Sequence, residues 1–265
     1  MEESRPALEK QGLKLAAVSY DSVAILKDFG TRRKIGFPLL SDEGSKVIKT
    51  WGVLNTTLPA SSPVYGVPFP VTFVLDQNGK VTSKHFEPDY RERETVAAIL
   101  SQQMNVRTGL AETTAETKHL KVTASASNAT VRPLQHVRLR MDIELKPKMH
   151  VYAPGVQGYK PIGWTIKESP LFRVADAEYP DPRMLHLKAI GETVPVYENT
   201  FSVSREIILA AKPPMGEFAV EGELLYQACD DKVCYVPQRV PVEWKLRLEP
   251  LDTERPPKAI QHRLN

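Results

Sequence analysis

Hydrophobic and polar residues alternate most regularly near the end of the chain. Phe218, Val220, Leu224 and Tyr226 share one parity, while Glu217, Glu221, Glu223 and Gln227 share the other. A period of two predicts a strand with one buried face. Val240, Val242, Trp244, Leu246 and Leu248 repeat the pattern against Arg239, Glu243, Lys245 and Arg247. The two runs predict a hairpin whose tip lies near 227–237. Upstream, residues 119–127, 131–145, 149–152, 164–167, 172–179 and 196–210 are further strand-like runs separated by Pro and Gly. Many short strands without a helical period predict a β-sandwich.

The first hundred residues read differently. Residues 6–11 read as the tail of a helix closed by Gly12, and 13–20 as a buried strand. Asp21 and Ser22 are capping residues for a helix through Arg33. A short extended piece at 37–40 and a helix over 45–51 follow. After the Pro-rich loop 59–70, residues 71–76 and 80–86 flank the turn Gln77-Asn78-Gly79 and predict a second hairpin. A helix over 91–104 closes this part. Polar, weakly patterned residues 105–118 read as a linker, leaving domains at 1–104 and 119–250 and a tail at 251–265.

Composition narrows the classes. The 265 residues are 42% hydrophobic and 25% charged, with a formal net charge of +3 and no long basic run. That is a globular composition with no electrostatic footprint for nucleic acid. The longest apolar run, Ile207 to Ala211, is far short of a membrane span. The first residues, Met1-Glu-Glu-Ser-Arg-Pro6, show no apolar signal region, although a cysteine pair suited to a disulfide argues for an oxidising compartment. The expectation is an extracytoplasmic protein whose export signal lies upstream.

The only two cysteines stand at the tip of the hairpin, in Tyr226-Gln-Ala-Cys229-Asp-Asp-Lys-Val-Cys234-Tyr-Val-Pro237. Spacing alone leaves three readings open: a staple, a metal site or an exchanging dithiol. A six-residue ring contributes only about 2 kcal/mol in the chain-entropy model. Two thiolates with no neighbouring His or Cys fall short of the four ligands of a closed zinc site. A loop tip suits exchange, which requires an accessible sulfur. Asp230 and Asp231 beside Cys229 should raise its thiol pKa, and Lys232 should lower that of Cys234. Cys234 is then the sulfur expected to bond a partner.

This run resembles the cysteine hairpin of the N-terminal, immunoglobulin-like domain of the DsbD family of thiol:disulfide interchange proteins. Met149-His-Val-Tyr152-Ala-Pro154-Gly155 is similar to that family's strand facing the cysteines, and Gly191-Glu-Thr-Val-Pro-Val-Tyr197-Glu198 to its cap loop. The resemblance spans 118–248. It implies that Cys229 and Cys234 carry thiol–disulfide exchange, with His150, Tyr152, Tyr226, Tyr235, Glu192 and Tyr197 as accessory positions near the disulfide. His150 could assist proton transfer. No cap aromatic stands out, so Ile190 or Val194 is expected to shield the sulfurs.

The first hundred residues resemble the AhpC/TSA branch of the thioredoxin-like fold through residues 15–21, 37–42 and Pro70-Val-Thr-Phe-Val-Leu-Asp76. The resemblance implies an incomplete α/β domain, with Pro70 as the candidate cis proline. Because no cysteine precedes Cys229, that domain is expected to be inactive as the chain stands, with a strand-Cys-helix segment expected upstream. The whole is expected to be a bacterial periplasmic relay between thioredoxin-like partners, without metal or cofactor. The alternative is a non-catalytic binding module stapled by a short-loop disulfide.

Overall fold

The computed structural model describes residues 1–62, 65–86, 93–104, 106–187 and 191–261. The chain divides into two compact units, Met1–Ile99 with Leu251–Asn265, and Leu100–Pro250.

In the first unit, α1 (Arg5–Lys10) is followed by β1 (Ala17–Ser19), α2 (Val23–Arg33), β2 (Leu39–Ser41), α3 (Lys46–Thr50), β3 (Val71–Leu75), β4 (Val81–Phe86) and β5 (Arg93–Glu94). The expected order is present. The Ser22 hydroxyl caps α2 by accepting from the Ile25 amide at 3.4 Å. The β3–β4 turn is held by Asp76, whose Oδ1 accepts from the amides of Asn78 and Lys80, while Gly79 takes φ +79°. Two expectations fail. The strand over 13–20 is reduced to Ala17–Ser19 and pairs in parallel with β2, leaving Val18 and Leu40 about half exposed. Among the described residues β1–β2 and β3–β4 remain separate two-stranded sheets, so no strand covers these apolar positions. Pro70 is the second failure: no cis peptide bond occurs among the described residues, and its bond to Phe69 is trans. The tail over 251–261 belongs to this unit, where Glu254 receives Arg32 at 3.0 Å and Arg33 at 2.9 Å.

Helix α4 (Val96–Met104) carries the chain to the second unit, which is built from β6 (Leu110–Glu116), β7 (Leu120–Ala126), β8 (Thr130–Val131), β9 (Gln135–Leu145), β10 (His150–Tyr152), β11 (Gly163–Ile166), β12 (Phe172–Glu178), β13 (Arg183–Leu187), β14 (Glu192–Glu198), β15 (Thr200–Leu209), β16 (Gly216–Tyr226), β17 (Ala228–Cys229) and β18 (Gln238–Leu248). One sheet runs β12-β15-β9-β7-β6 and the other β11-β16-β18-β8. The expected linker thus contains a strand: residues 110–116 pair antiparallel with β7. Thr and Ala at alternate positions satisfy an edge strand without a strong apolar signal, which is why this run reads as linker in the sequence. Strand β13, also unexpected, pairs with β14.

The inward parity of each strand fills one core. Leu120, Val122 and Ala124 of β7 and Val137, Leu139, Met141 and Ile143 of β9 are buried with Val220 and Leu224 of β16 and Val240, Trp244 and Leu246 of β18. Trp244 Nε1 donates across the sandwich to Ser125 O at 2.8 Å, and its ring lies 5.4 Å from that of Trp164. Gly222 makes room for this pair. A Cβ at that position would sit 2.8 Å from Thr165 O and 3.3 Å from Trp164 Nε1. Because backbone cannot yield as a flexible side chain can, Gly222→Ala should destabilise the second unit by about 1–3 kcal/mol. The check is urea denaturation of the full chain by far-UV circular dichroism, and an unchanged midpoint would contradict this packing account.

Candidate functional site

The β16–β18 hairpin is paired down to Tyr226 and Gln238. Beyond that rung the chain leaves the sheet. Ala228 and Cys229 pair instead with β10, Val151 opposite Ala228 and His150 opposite Cys229. The cysteines therefore belong to a third, small sheet ordered β13-β14-β10-β17. Cys229 is bonded to Cys234. Cys229 is 1% exposed, whereas Cys234 is solvent-exposed.

The loop between them is tied by its own polar groups. Asp230 N donates to Val233 O at 2.9 Å and Tyr235 N to Ala228 O at 2.8 Å. Asp230 Oδ1 accepts from the amides of Lys232 and Val233, each at 2.8 Å, and the Tyr235 hydroxyl donates to Asp230 Oδ2 at 2.9 Å. These bonds, the Lys232 amide foremost, hold the Asp230 carboxyl below its ordinary range. Asp230, expected only to repel charge beside Cys229, is the organiser of the turn. Asp231 is exposed.

His150 and Tyr152 share the face of β10 that meets the sulfurs. The Tyr152 hydroxyl lies 3.6 Å from Cys234 Sγ, and the His150 ring stands edge-on to the Tyr152 ring at 5.6 Å. Tyr152, Val194, Val196 and Cys229 form a small buried cluster flanked by Val156, Tyr159, Leu185 and Leu187. Val194 thus shares a buried cluster with Cys229, whereas Cys234 is left exposed. Ile190 lies outside the described residues. Burial pushes the Tyr152 hydroxyl pKa up and pulls that of His150 down, against the opposing charges of Glu198, Asp231 and Asp230.

The other accessory residues divide. Tyr226 is fully buried in the main core, its hydroxyl 2.8 Å from Thr117 Oγ1. Tyr235 supports the loop through Asp230 and packs 4.5 Å from the buried His119 ring. Tyr197 faces away from the sulfurs: it sits opposite Val151, stacks on Phe201 at 4.5 Å and donates to Pro180 O at 2.9 Å. Its neighbours on β14, Val196 and Glu198, take the face shared with Tyr152 and His150. The one-residue parity shift explains the departure.

Tyr159 was not singled out by the sequence. Its ring stacks on Tyr152 at 4.3 Å, and its hydroxyl donates to Glu192 Oε2 at 2.5 Å. The loop after β10 doubles back, with Gly155 and Gly158 at positive φ and Ile162 N donating to Tyr152 O. The two glycines between Tyr152 and Tyr159 were the available signal. Among the described residues no cluster of three or more His, Cys, Asp or Glu could hold a metal ion, and no helix is long and apolar enough to cross a membrane.

A sandwich whose displaced hairpin tip carries one buried and one exposed sulfur is a β-domain with an accessible disulfide. Comparison with known families agrees: residues 117–244 match the family of the N-terminal part of thiol:disulfide interchange protein DsbD, and residues 1–84 match the AhpC/TSA family. A putative chloroplastic peroxiredoxin Q of Oryza sativa subsp. indica is 37% identical over 105 residues, covering 37% of this chain and 44% of that protein. Peroxiredoxin Q of Arabidopsis thaliana is 35% identical over 97 residues, covering 36% and 42%. The chain spans less than half the length of these relatives. Among solved structures, the N-terminal periplasmic domain of ScsB from Proteus mirabilis aligns with 52% of this chain and 51% of its own, at 17% identity and a TM-score of 0.37.

The Glu192 bond pushes the Tyr159 pKa up to about 12. Glu192→Gln should bring it back toward the ordinary tyrosine value of about 10. A spectrophotometric alkaline titration should then gain one tyrosine near that value, and an unchanged curve would contradict the contact.

Proposed function

We propose that the second unit is a thiol–disulfide exchange relay between thioredoxin-like proteins, working through Cys229 and Cys234 in an oxidising, extracytoplasmic compartment. The observation that carries this reading is the asymmetry of the pair: Cys229 is 1% exposed and Cys234 is open to solvent. A partner thiolate can reach only the outer sulfur. Its attack forms the partner–Cys234 bond, breaks the Cys229–Cys234 bond and leaves the electron pair on Cys229. A second partner thiolate then attacks the partner's sulfur and expels Cys234 as thiolate. The partner dithiol is oxidised and this disulfide reduced. The Tyr152 hydroxyl, 3.6 Å from Cys234 Sγ, would donate to the thiolate as it forms.

The resemblance of residues 117–244 to the DsbD N-terminal family supports the same assignment. The loop argues against a staple. Its turn is closed by the Asp230, Tyr235 and Ala228 hydrogen bonds, so the covalent link is largely redundant for its shape. Residues 1–84 contain no cysteine, and we assign that unit no thiol chemistry of its own.

In Cys229→Ser, the free Cys234 should accumulate a mixed disulfide with a thioredoxin-like protein that lacks its own resolving cysteine and carries its remaining sulfur as the thionitrobenzoate mixed disulfide, expelling thionitrobenzoate, and Cys234→Ser should not. Non-reducing electrophoresis reads the result, and equal trapping by both variants would overturn the assignment. The reduction potential of the pair should lie above about −300 mV, the region below which structural disulfides fall. A lower value measured against a glutathione buffer would favour the staple.

A further inference from the structure

The exchange reading leaves one buried group beside the sulfurs without a task. His150 is 3% exposed, its Nε2 is buried with no hydrogen-bond partner, and it sits directly opposite Cys229 in the β10–β17 ladder. Directly opposed residues point to the same face, with Cβ atoms about 4.5–5.5 Å apart. An imidazole held beside a buried sulfur at the cost of an unsatisfied nitrogen is an expensive way to fill space.

Resting on the relay reading, we propose that His150 is the general base that activates Cys229 when the reduced protein passes its electrons on. Cys234 opens that half-reaction, its thiolate attacking an acceptor disulfide and expelling one thiolate. The result is a mixed disulfide on Cys234, while Cys229 remains a buried thiol. Burial disfavours its ionisation, so it resolves the complex slowly unaided. His150 takes the proton from Cys229 Sγ. The new thiolate attacks Cys234 Sγ, the bond from Cys234 to the acceptor breaks, and the electron pair leaves on the acceptor sulfur. The proton on His150 then passes to that thiolate or to solvent. Two electrons have left the cysteine pair, and the acceptor disulfide has become two thiols.

A base in this role must be unprotonated at working pH. The charged groups facing His150 are Glu198, opposite it on β14 and itself paired with Arg183 of β13 at 2.6 Å, and Asp230 and Asp231 of the cysteine loop. Tyr152 is its neighbour on β10. These carboxylates favour the imidazolium, but burial outweighs them and the histidine stays neutral below its ordinary range. The same carboxylates would steady the imidazolium formed transiently during the transfer.

The reduced full-length protein, mixed with 5,5′-dithiobis(2-nitrobenzoate) in a stopped-flow spectrometer, separates the two steps. The first thionitrobenzoate released reports attack by Cys234 and the second reports resolution by Cys229. In the wild type the second phase should be nearly independent of pH from 6.5 to 8. In His150→Gln it should be slower by about tenfold or more at neutral pH and rise about tenfold per pH unit, following the thiol's own ionisation. The first phase should be alike in both proteins. A wild-type second phase that itself rises tenfold per unit overturns the proposal whatever the variant does, as does a variant with an unchanged profile. A first release with no second in the wild type would overturn the exchange reading together with this one.

Discussion

The site depends on a change of partner by one short piece of backbone. Had Ala228 and Cys229 continued the β16–β18 ladder, both sulfurs would stand at the tip of an ordinary hairpin, equally open to water. Pairing with β10 draws Cys229 under Val194 and Val196 and leaves Cys234 outside. Two chemically identical residues thereby acquire different surroundings. The carbonyl of Ala228 reinforces the departure by accepting from Tyr235 N, so the strand that leaves is also the strand that closes the loop.

That displacement rests on the core below it. The Trp244 indole spans the two large sheets to reach Ser125 O, and Tyr226, the last buried residue before the chain departs, is fixed through Thr117. The hairpin is thus anchored up to the rung where it diverges. Below that point, packing sets the backbone. Above it, polar contacts do.

The sandwich was legible because it is built of many short strand-like runs, and β16 and β18 bury the expected parity. The cysteine hairpin was legible from its motif. Pairing between strands distant in sequence was not. Nothing in Leu110–Glu116 has enough apolar character to announce a strand, and only its partner β7 makes it one. Tyr159 escaped notice because a loop aromatic carries no periodicity; its significance comes from Gly155 and Gly158 turning the chain back onto Tyr152. Tyr197 was assigned to the sulfurs by position, and a single step of strand parity sends it to the core instead. In the first unit the order of elements was legible, while which strand edges meet was not, since sequence order does not specify it.

The Asx-type turn at Asp230 has a thermodynamic corollary. Breaking the covalent link ordinarily releases a loop into many conformations, so reduction gains entropy. Here the amides of Lys232 and Val233 are bound to the Asp230 carboxylate and the Tyr235 amide to Ala228 O, contacts that involve neither sulfur. Little freedom is released, and the entropy of reduction is small. A pair that exchanges at this site would then change oxidation state within a nearly fixed frame, and its potential would depend only shallowly on temperature.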